Sequence, residues 1–402
     1  MRRKRANRVD GAGIYLDHNA TTPPDPLVVE AMAPFLAERF GNPSSQTHAH
    51  GRAAREAVEA AREEVARLIG GSEPSEIVFT SCATEANNLA IKGTVWALKE
   101  RGDHIVTSAC EHKSILESCR WLESEGFRLT VLPVDREGRV DPDQAAEAIE
   151  DRTVLLSIQH ASGEVGTIQP VHALAALSAD RRVRFHTDAA QSAGKVAVDV
   201  EAIGCDLLSL SGHKLYGPKG VGALYVRRRQ RLVPLLSGGG QEKGRRSGTH
   251  NVAGIVGFGV ACRLARERLV ADTAKLKALC TRLSEGLLGR VPGTHVNGPM
   301  EGRLAGNLNV SFDDLDGQAL IQSLRGVSVS SGSACAAGST DPSYVLIAMG
   351  LSPERAYGSV RFGIGRGNTP EEIDRVIDEI ERAAREVRSL STRVPRGIQL
   401  EP

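Results

Sequence analysis

The sequence predicts an α/β fold in which a mostly parallel β-sheet is sandwiched by helices, with a smaller α+β domain towards the C terminus. Short apolar runs alternate with longer helix-like segments through most of the first 230 residues, which is typical of βαβ units. A glycine-rich stretch at residues 237–249 is a predicted loop. The pattern beyond it is mainly helical, so we expect a domain boundary near residue 258.

The strands and helices of the large domain follow in order. The strand candidates are residues 77–80, 105–107, 129–132, 153–158, 183–186, 207–210 and 222–226. The helical patterns between them cover residues 85–97, 112–122 and 171–177. Because parallel sheets bind their ligands beyond the carboxyl ends of the strands, we expect the functional residues just after these runs.

The C-terminal part combines helical patterns with fewer strands. The predicted helices are residues 255–288, 316–324 and 370–390, and the predicted strands are residues 307–312, 327–329 and 359–362. The last helix has favourable start chemistry, with Thr369 as N-cap, Pro370 in the first position and Glu371 and Glu372 in the first turn.

The composition argues against several classes of protein. Among 402 residues, 50 Lys and Arg balance 49 Asp and Glu, and aromatic residues make up 4%. A nearly neutral chain with few aromatic side chains is poorly suited to nucleic acids or anionic membranes. No apolar stretch approaches the ~20 residues of a membrane helix. We therefore expect no membrane contact and no direct nucleic-acid partner.

The seven cysteines show no CxxC pairs, which argues against a zinc ribbon or a disulfide framework. We expect no metal site, and a reducing cytoplasm is the compartment that suits free thiols. The basic start at residues 1–5 lacks the apolar core of a signal peptide. We interpret it as a solvated tail rather than a targeting segment.

Two strand candidates lead into an acid and an amine. Asp188 follows the run at 183–186 and Lys214 follows the run at 207–210, so both are predicted at the same edge of the sheet. Pyridoxal phosphate chemistry needs this pair, because a lysine amine condenses with the cofactor aldehyde and a carboxylate keeps the pyridine nitrogen protonated. Taken alone, however, an Asp and a Lys are better explained as a surface ion pair.

An anion site is predicted where the first strand candidate leads into the first helix. The backbone N–H groups of Ala83 and Thr84, with the Thr84 hydroxyl, would lie at a helix N terminus that suits a phosphate. An ordinary N-cap explains Thr84 equally well. Ser211 and His213 follow a strand candidate and add hydroxyl and imidazole donors.

The run SGHKLYGPKG at residues 211–220 resembles the cofactor-lysine motif of cysteine desulfurases, which are class-V aminotransferase-like enzymes of fold type I. Further motifs of that family occur in the same order, at residues 15–22, 41–45, 84–88, 111–113, 186–191, 246–249, 330–335 and 359–362. The resemblance covers nearly the whole chain. It implies the PLP-dependent transferase fold, with a large PLP-binding domain at 23–258 and a small domain of 1–22 and 259–402 that carries the catalytic cysteine loop.

The resemblance also implies a role for single residues in binding pyridoxal 5′-phosphate. Lys214 and His112 would be catalytic as well, with His112 stacked on the pyridine ring and able to move protons. Thr249 would reach the phosphate of a neighbouring subunit, which implies a homodimer. The full set of implied cofactor contacts is Ala83, Thr84, His112, Asp188, Gln191, Ser211, His213, Lys214 and Thr249.

The implied substrate contacts are Asn19, Ser162 and Arg361, of which Arg361 would hold the α-carboxylate with its planar guanidinium. The residues alone leave other interpretations open. His112 also fits a helix-start residue that faces solvent, Thr249 fits a flexible loop, and Arg361 fits an exposed strand arginine.

Cys335 is the implied nucleophile. It lies among small residues at 332–338, and such a segment packs little and moves easily, as suits a sulfur carrier. A thiolate is the best nucleophile available among the side chains. Cys82 and Cys110 lie nearer the predicted site but have no nucleophilic role in the family. The alternative, a small buried hydrophobe, is our prediction for Cys119, Cys205, Cys262 and Cys280.

One segment departs from the family pattern. Two asparagines usually precede Glu-x-Gly after the fifth strand, and here Ser162 and Gly163 stand in their place. Serine is too short for the contact that the first asparagine makes with the cofactor ring oxygen and the substrate region. We expect that contact to be absent or bridged by water, which bears on substrate preference and rate but not on cofactor binding.

Three functions fit these residues. The leading one is conversion of L-cysteine to L-alanine with a persulfide on Cys335, whose sulfur passes to an acceptor such as an iron–sulfur scaffold or a tRNA-thiolation protein. Residues 339–344 resemble the housekeeping and nitrogen-fixation branch. The second is a selenocysteine lyase or another class-V β-elimination or transamination. The third is a non-catalytic partner in a sulfur-transfer complex, against which the intact Lys214, Asp188 and Cys335 argue.

Overall fold

The computed structural model describes residues 13–71, 73–331 and 341–391. Its strands are β1 (Ile14–Tyr15), β2 (Ile77–Thr80), β3 (His104–Ser108), β4 (Arg128–Leu132), β5 (Thr153–Ser157), β6 (Arg184–Asp188), β7 (Leu207–Ser211), β8 (Gly222–Val226), β9 (Thr294–Asn297), β10 (Asn307–Phe312), β11 (Val327–Ser328) and β12 (Ser359–Gly363). Its α-helices are α1 (Pro26–Ala37), α2 (Ala49–Leu68), α3 (Ala83–Ala97), α4 (Lys113–Ser124), α5 (Pro142–Ala148), α6 (Val171–Asp180), α7 (Val200–Ile203), α8 (Val252–Arg290), α9 (Gly317–Ser323), α10 (Tyr344–Ala348), α11 (Pro353–Tyr357) and α12 (Pro370–Ser391). Among the helices of these ranges, none combines the length and the apolar composition that crossing a lipid bilayer requires.

Seven strands form the main sheet, in the order β2-β8-β7-β6-β5-β3-β4. The neighbours from β7 through β6, β5 and β3 to β4 are parallel, whereas β8 runs antiparallel to both β7 and β2. The predicted α/β fold with a mostly parallel sheet is therefore confirmed. The reversed direction of β8 follows from its short connection, because the chain passes from Ser211 to Gly222 without the crossover helix that parallel pairing needs.

Helices cover both faces of this sheet. Alternate residues of β8 face opposite sides: Ala223 and Tyr225 pack in a core with α2, α6 and α8, whereas Leu224 and Val226 pack with α3. Every residue of β3, β5, β7 and β8 is buried. Burial on both faces explains why these strands read as continuous apolar runs rather than as alternating ones.

A second sheet, in the order β12-β10-β9, is antiparallel throughout. Helix α12 and the C-terminal half of α8 cover it, and β1 joins this part by pairing in parallel with β11. The start of α12 has the predicted cap: Thr369 Oγ1 accepts from the Glu372 N–H at 3.3 Å, and the Glu372 carboxylate accepts from the Thr369 N–H at 3.4 Å.

The 39-residue helix α8 connects the two cores. Phe258 and Ala261 in its first half pack with the main sheet, whereas Leu279, Leu283 and Leu287 pack with the second sheet. The predicted boundary between residues 258 and 259 falls inside this helix. Because one continuous helix crosses this boundary, the helix itself does not mark where one domain ends, and the domain limits stay a prediction.

Candidate active site

The predicted acid and amine both lie at the carboxyl edge of the main sheet. Asp188 is the last residue of β6 and pairs with Ser209 of β7, and Lys214 ends the single 3-10 turn that follows β7. Lys214 Nζ donates to the carbonyl oxygen of Ala20 at 2.7 Å and also to that of Asn19. The N-terminal segment thus holds the amine at the sheet edge where the sequence predicts it.

Asp188 connects to His112 through two side chains on neighbouring helices. Asn87 Nδ2 donates to Asp188 Oδ2 at 2.7 Å and to Ser114 Oγ at 2.9 Å. Ser114 Oγ in turn lies 2.7 Å from Nδ1 of His112, the exposed N-cap residue of α4. Neither Asn87 nor Ser114 was predicted from the sequence. Both lie within or beside family motifs, but an Asn or a Ser in a helix has no distinctive spacing.

Gln191 reaches the same edge from the segment after β6. Its Nε2 donates to the Asn19 carbonyl at 3.0 Å, and its Oε1 accepts from Lys195 Nζ at 3.4 Å. Asn19 is 4% exposed, and its carbonyl accepts from both Gln191 and Lys214. Burial, together with the positive charges of Lys214 and Arg361, lowers the pKa of Lys195 to about 7. Lys195 was not predicted as a site residue.

The end of β2 and the start of α3 form the predicted anion site. Helix α3 begins at Ala83 with Cys82 as N-cap, so Thr84 lies in the first turn and is not the cap. The first N–H groups of a helix have no partner within the helix, and Ala83 and Thr84 contribute two of them. Gly222 of β8 lies against this turn, because a Cβ there would lie 2.7 Å from the Cys82 carbonyl carbon.

Ser211 and His213 border the same site. Ser211 pairs with Gly222, and its buried Oγ has no hydrogen-bond partner among the residues that the structure describes. Such a hydroxyl costs free energy unless a ligand binds it. His213 Nδ1 lies 3.1 Å from Thr21 Oγ1. Burial and three neighbouring lysine charges lower the pKa of His213 to about 4, so its imidazole is neutral at pH 7.

The loop that carries Thr249 is held by two ion pairs. Glu242 accepts from Arg62 at 2.7 Å, and Arg246 donates to Glu85 in the first turn of α3 at 2.7 Å. These contacts fix the loop beside the anion site. Thr249 itself is exposed, as a residue that reaches a second subunit must be, and its role stays a prediction.

Arg361 is buried rather than exposed on its strand, with 5% of its surface accessible. Its Nη2 donates to Asp17 Oδ1 at 2.9 Å, and the same oxygen accepts from Ser330 Oγ at 3.0 Å. Its Nη1 lies 3.4 Å from the Gly163 carbonyl oxygen. The Nε atom is buried without a partner in the described part of the chain, so the guanidinium retains a donor for a ligand. Asp17 was not predicted.

The segment that departs from the family pattern is a tight turn. The Ser162 hydroxyl accepts from the N–H groups of Glu164 and Val165 at 3.2 and 3.3 Å. A Cβ on Gly163 would lie 2.6 Å from Gln191 Nε2, so glycine lets Gln191 approach the turn. The Ser162 side chain thus stabilises its own turn, and its predicted contact with the substrate stays a prediction.

Cys335 lies outside the described residues, but the segment that begins at residue 341 contacts the site. Ser343 Oγ donates to the buried Glu164 carboxylate, and the Tyr344 hydroxyl donates to the Glu111 carbonyl at 2.6 Å. Four other cysteines are buried as predicted, and burial raises the pKa of each thiol: Cys119, Cys205, Cys262 and Cys280.

Comparison with known proteins identifies the family. The family described as "Aminotransferase class-V" matches residues 14–376. The chain is 50% identical over 380 residues to "Cysteine desulfurase IscS" of Anaeromyxobacter sp. (strain Fw109-5), covering 94% of each chain. This chain belongs to the cysteine desulfurase family of class-V aminotransferases. It is also 48% identical over 386 residues to "Cysteine desulfurase, mitochondrial" of Arabidopsis thaliana, covering 96% of this chain and 85% of that one.

Solved structures of the family have the same fold. A protein titled "NIFS-LIKE PROTEIN" superposes with a TM-score of 0.86 at 38% identity, covering 92% of this chain and 98% of that chain. A structure titled "SspA in complex with cysteine" superposes with a TM-score of 0.79 at 40% identity, covering 89% of this chain and 100% of that chain. The predicted fold, enzyme class and cysteine desulfurase family are therefore confirmed. The roles of single residues stay predictions.

Proposed function

We propose that this chain converts L-cysteine to L-alanine and carries the released sulfur as a persulfide on Cys335. The carbon–sulfur bond of the substrate breaks and a sulfur–sulfur bond forms at Cys335. At the substrate Cβ a hydrogen takes the place of the sulfur. The Cys335 thiol loses one proton when it becomes the persulfide, so the count of hydrogens is unchanged overall. The observation that carries this proposal is that Lys214, Asp188 and Ser211 meet at one sheet edge, where the Ser211 hydroxyl has no hydrogen-bond partner among the described residues.

Pyridoxal 5′-phosphate is the proposed cofactor, and the residues present fit it. The Ser211 hydroxyl and the N terminus of α3 suit its phosphate, Lys214 suits its aldehyde, and Asp188 suits its protonated ring nitrogen. When bound, the cofactor withdraws electrons from the substrate Cα. Gln191 would hold the ring hydroxyl, and His112 would lie over the ring.

The chain's own side chains bind the substrate and move its protons. Lys214 would take the Cα proton, and the carbonyls of Asn19 and Ala20, which accept from its Nζ in this structure, would then hold the resulting ammonium. Arg361 would bind the α-carboxylate through the donors that Asp17 leaves open. A thiolate at Cys335 would then attack the substrate sulfur.

The proposed assembly is a homodimer in which Thr249 of each chain reaches the phosphate site of the other. Thr249 is exposed on a loop held beside α3, as described above. The segment just before this loop exposes Val233, Leu235 and Leu236 by 43%, 39% and 44%. Apolar side chains exposed close together suit a protein interface.

The persulfide would pass its sulfur to an acceptor protein such as an iron–sulfur scaffold or a tRNA-thiolation enzyme. We propose the cytoplasm as the compartment, because the free thiols suit a reducing environment. Relatives with bacterial and with mitochondrial names both match this chain.

The direct test supplies the holoenzyme with L-cysteine and measures alanine, with mass spectrometry for one added sulfur on Cys335. Cys335→Ser should keep the visible absorption of bound cofactor but stop alanine formation, and Lys214→Ala should lose that absorption. Cys280→Ala, which alters a buried thiol of the second core, is the matched control and should keep turnover. Alanine formation at the normal rate in Cys335→Ser would refute the nucleophile.

A selenocysteine lyase is the second candidate, and the turn at Ser162 favours it. The Ser162 hydroxyl accepts from backbone N–H groups, and Gly163 has no side chain, so we expect the family's asparagine contact to be absent here or bridged by water. Initial rates with L-cysteine, L-selenocysteine and L-alanine separate the candidates. A strong preference for selenocysteine would favour the lyase, whereas equal use of alanine would favour a transamination.

A further inference from the structure

The hydrogen bonds between Asp188 and His112 have a defined direction. The Ser114 backbone N–H donates to His112 Nδ1 at 3.1 Å. Because a backbone N–H is always a donor, this ring nitrogen carries no proton. The Ser114 hydroxyl, 2.7 Å from the same nitrogen, must therefore donate its own hydrogen to it. A neutral ring with an unprotonated Nδ1 holds its proton on Nε2.

Asn87 completes the relay, here defined as Asp188, Asn87, Ser114 and His112. Its amide nitrogen lies 2.9 Å from Ser114 Oγ and 2.7 Å from Asp188 Oδ2. An amide nitrogen has two hydrogens and accepts none, so one hydrogen goes to each neighbour. The flipped amide would place its oxygen against the Asp188 carboxylate, where two acceptors would repel. Each hydrogen in the relay thus has one possible place.

The relay is built at a cost in stability. Asn87 is fully buried and Ser114 is 8% exposed, so bulk water does not replace their hydrogen bonds. Asn87 Oδ1 is buried and has no partner among the described residues. An orphaned buried acceptor costs free energy, and an apolar side chain would avoid it. A polar residue kept at such a position indicates a task other than stability.

We propose that Asn87 and Ser114 are positioning residues that hold His112 as a neutral imidazole with its proton on Nε2 and couple this state to Asp188. The inference rests on the proposed function, in which His112 and Asp188 both serve the cofactor. A ring held in this way offers an N–H donor at Nε2. It takes up a proton at Nδ1 only when the Ser114 N–H and hydroxyl release that nitrogen.

The first test is nitrogen-15 NMR of the labelled holoenzyme, which reads the protonation of each ring nitrogen without turnover. At neutral pH the wild-type protein should show His112 with an unprotonated, hydrogen-bonded Nδ1 and a protonated Nε2. Asn87→Ala should shift the Nδ1 signal although Asn87 does not contact the ring in this relay. A protonated Nδ1 in the wild-type protein would overturn the proposal.

The second test is a double-mutant cycle on alanine formation. Ser114→Ala should lower kcat about 3- to 10-fold, as expected for one lost hydrogen bond of ~1 kcal/mol, while KM changes less than about twofold. Ser114→Thr, which keeps the hydroxyl, should restore kcat. Asn87→Ala should cost much less in the Ser114→Ala background than alone, because the relay is already broken. Fully additive effects would overturn the coupling.

Ser118→Ala is the matched control for these variants. Ser118 lies one turn further along α4, is 2% exposed, and donates its hydroxyl to the Ser114 carbonyl at 2.7 Å. Losing this buried hydroxyl should leave kcat and the His112 spectrum unchanged, and an equal loss in kcat would reduce Ser114 to a structural role. If Asn87→Ala does not fold, the wild-type nitrogen-15 spectrum and the comparison of Ser114→Ala with Ser114→Thr still decide the proposal. A wild-type enzyme without alanine formation would refute the proposed function while leaving the ring tautomer measurable.

Discussion

At the residue scale, the partners of each buried polar group decide its charge. Lys195 lies near Lys214 and Arg361, and burial with these two charges lowers its pKa to about 7. Its amine therefore loses positive charge as the pH rises through neutrality. Arg361 instead lies beside a carboxylate, with its Nη2 atom 2.9 Å from Asp17 Oδ1. Desolvation without a carboxylate partner among the described residues thus lowers the pKa of the Lys195 amine, whereas the Arg361 guanidinium has a carboxylate partner.

Arg361→Lys should raise the KM for L-cysteine about 10- to 100-fold, with a smaller effect on kcat. A lysine offers a point charge instead of a planar fork, and a hydrogen bond to a charged group contributes ~1.5–3 kcal/mol. Steady-state alanine formation measures both constants. Arg282→Lys, which alters an exposed pair with Asp374, is the control and should leave KM unchanged. An unaltered KM in Arg361→Lys would remove Arg361 from substrate binding.

At the element scale, the loop around Glu242 is joined to the main sheet by one buried carboxylate. Glu242 accepts from Arg62 at 2.7 Å, from His250 at 2.6 Å and from the Phe79 N–H of β2 at 3.0 Å. Burial alone would raise the pKa of Glu242, but the hydrogen bonds from His250 and Arg62 outweigh it and lower the pKa to about 2. This network anchors the loop that carries Thr249.

Glu242→Gln should lower the free energy of unfolding at pH 7 by about 3 kcal/mol, because the buried Arg62 charge loses its buried carboxylate and keeps only the exposed carboxylate of Glu59. The folded pKa of about 2 lies below the usual glutamate value of ~4.3. The stabilisation is therefore complete above that value and is lost as the pH falls towards 2. Urea unfolding of the wild-type protein and of Glu242→Gln should show that the difference in their free energies of unfolding shrinks as the pH falls.

The control for this prediction is Glu63→Gln. Glu63 forms an exposed pair with Arg67 at 2.9 Å on α2, and exposed pairs contribute less than ~1 kcal/mol. If Glu242→Gln is no less stable than this control at pH 7, the anchoring role of Glu242 is wrong.

The elements themselves were predictable where a buried pattern continued over several residues. Strands β2, β8 and β10 have the predicted limits, and helices α3, α8 and α12 begin within three residues of theirs. Helix α2 was not predicted, although Ala54, Val58, Ala61 and Val65 are buried at helical spacing; its many short alanines weaken the apolar contrast. The direction of β8 follows from its pairing with β7 across a short connection, and the apolar pattern of β8 alone does not encode that pairing.

At the scale of the whole molecule, the site is assembled from distant parts of the chain. Asp17 and Asn19 come from the N-terminal segment, Lys214 from the edge of the main sheet, and Arg361 from the second sheet. Helix α8 joins the two cores, so it sets how Arg361 lies relative to Lys214. The proposed dimer adds Thr249 from a second chain.

Mixed dimers test that exchange of Thr249. Thr249→Ala alone should weaken cofactor binding about tenfold, since one hydrogen bond to a charged phosphate contributes ~1.5 kcal/mol. In a dimer with a Lys214→Ala chain, the Thr249→Ala chain keeps its own Lys214 and receives Thr249 from the other chain. Its lysine-bound absorption should therefore titrate with wild-type affinity.

Dimers of wild-type and Lys214→Ala chains provide the control for the mixing procedure, and they should titrate in the same way. Mixed dimers that bind the cofactor as weakly as Thr249→Ala alone would show that each Thr249 serves its own chain.

The sequence by itself determined the type of fold, the family and the residues that we predict to carry the chemistry. Lys214 and Asp188 follow strand patterns and Arg361 lies within one, and their chemistry is a property of the side chain. Only the tertiary structure decided their partners: Asn87 and Ser114 between Asp188 and His112, and Asp17 against Arg361. The physical reason is that a hydrogen bond needs its two atoms within about 3 Å in a set direction. That geometry arises when elements far apart in the chain pack together, and no local pattern of residues contains it.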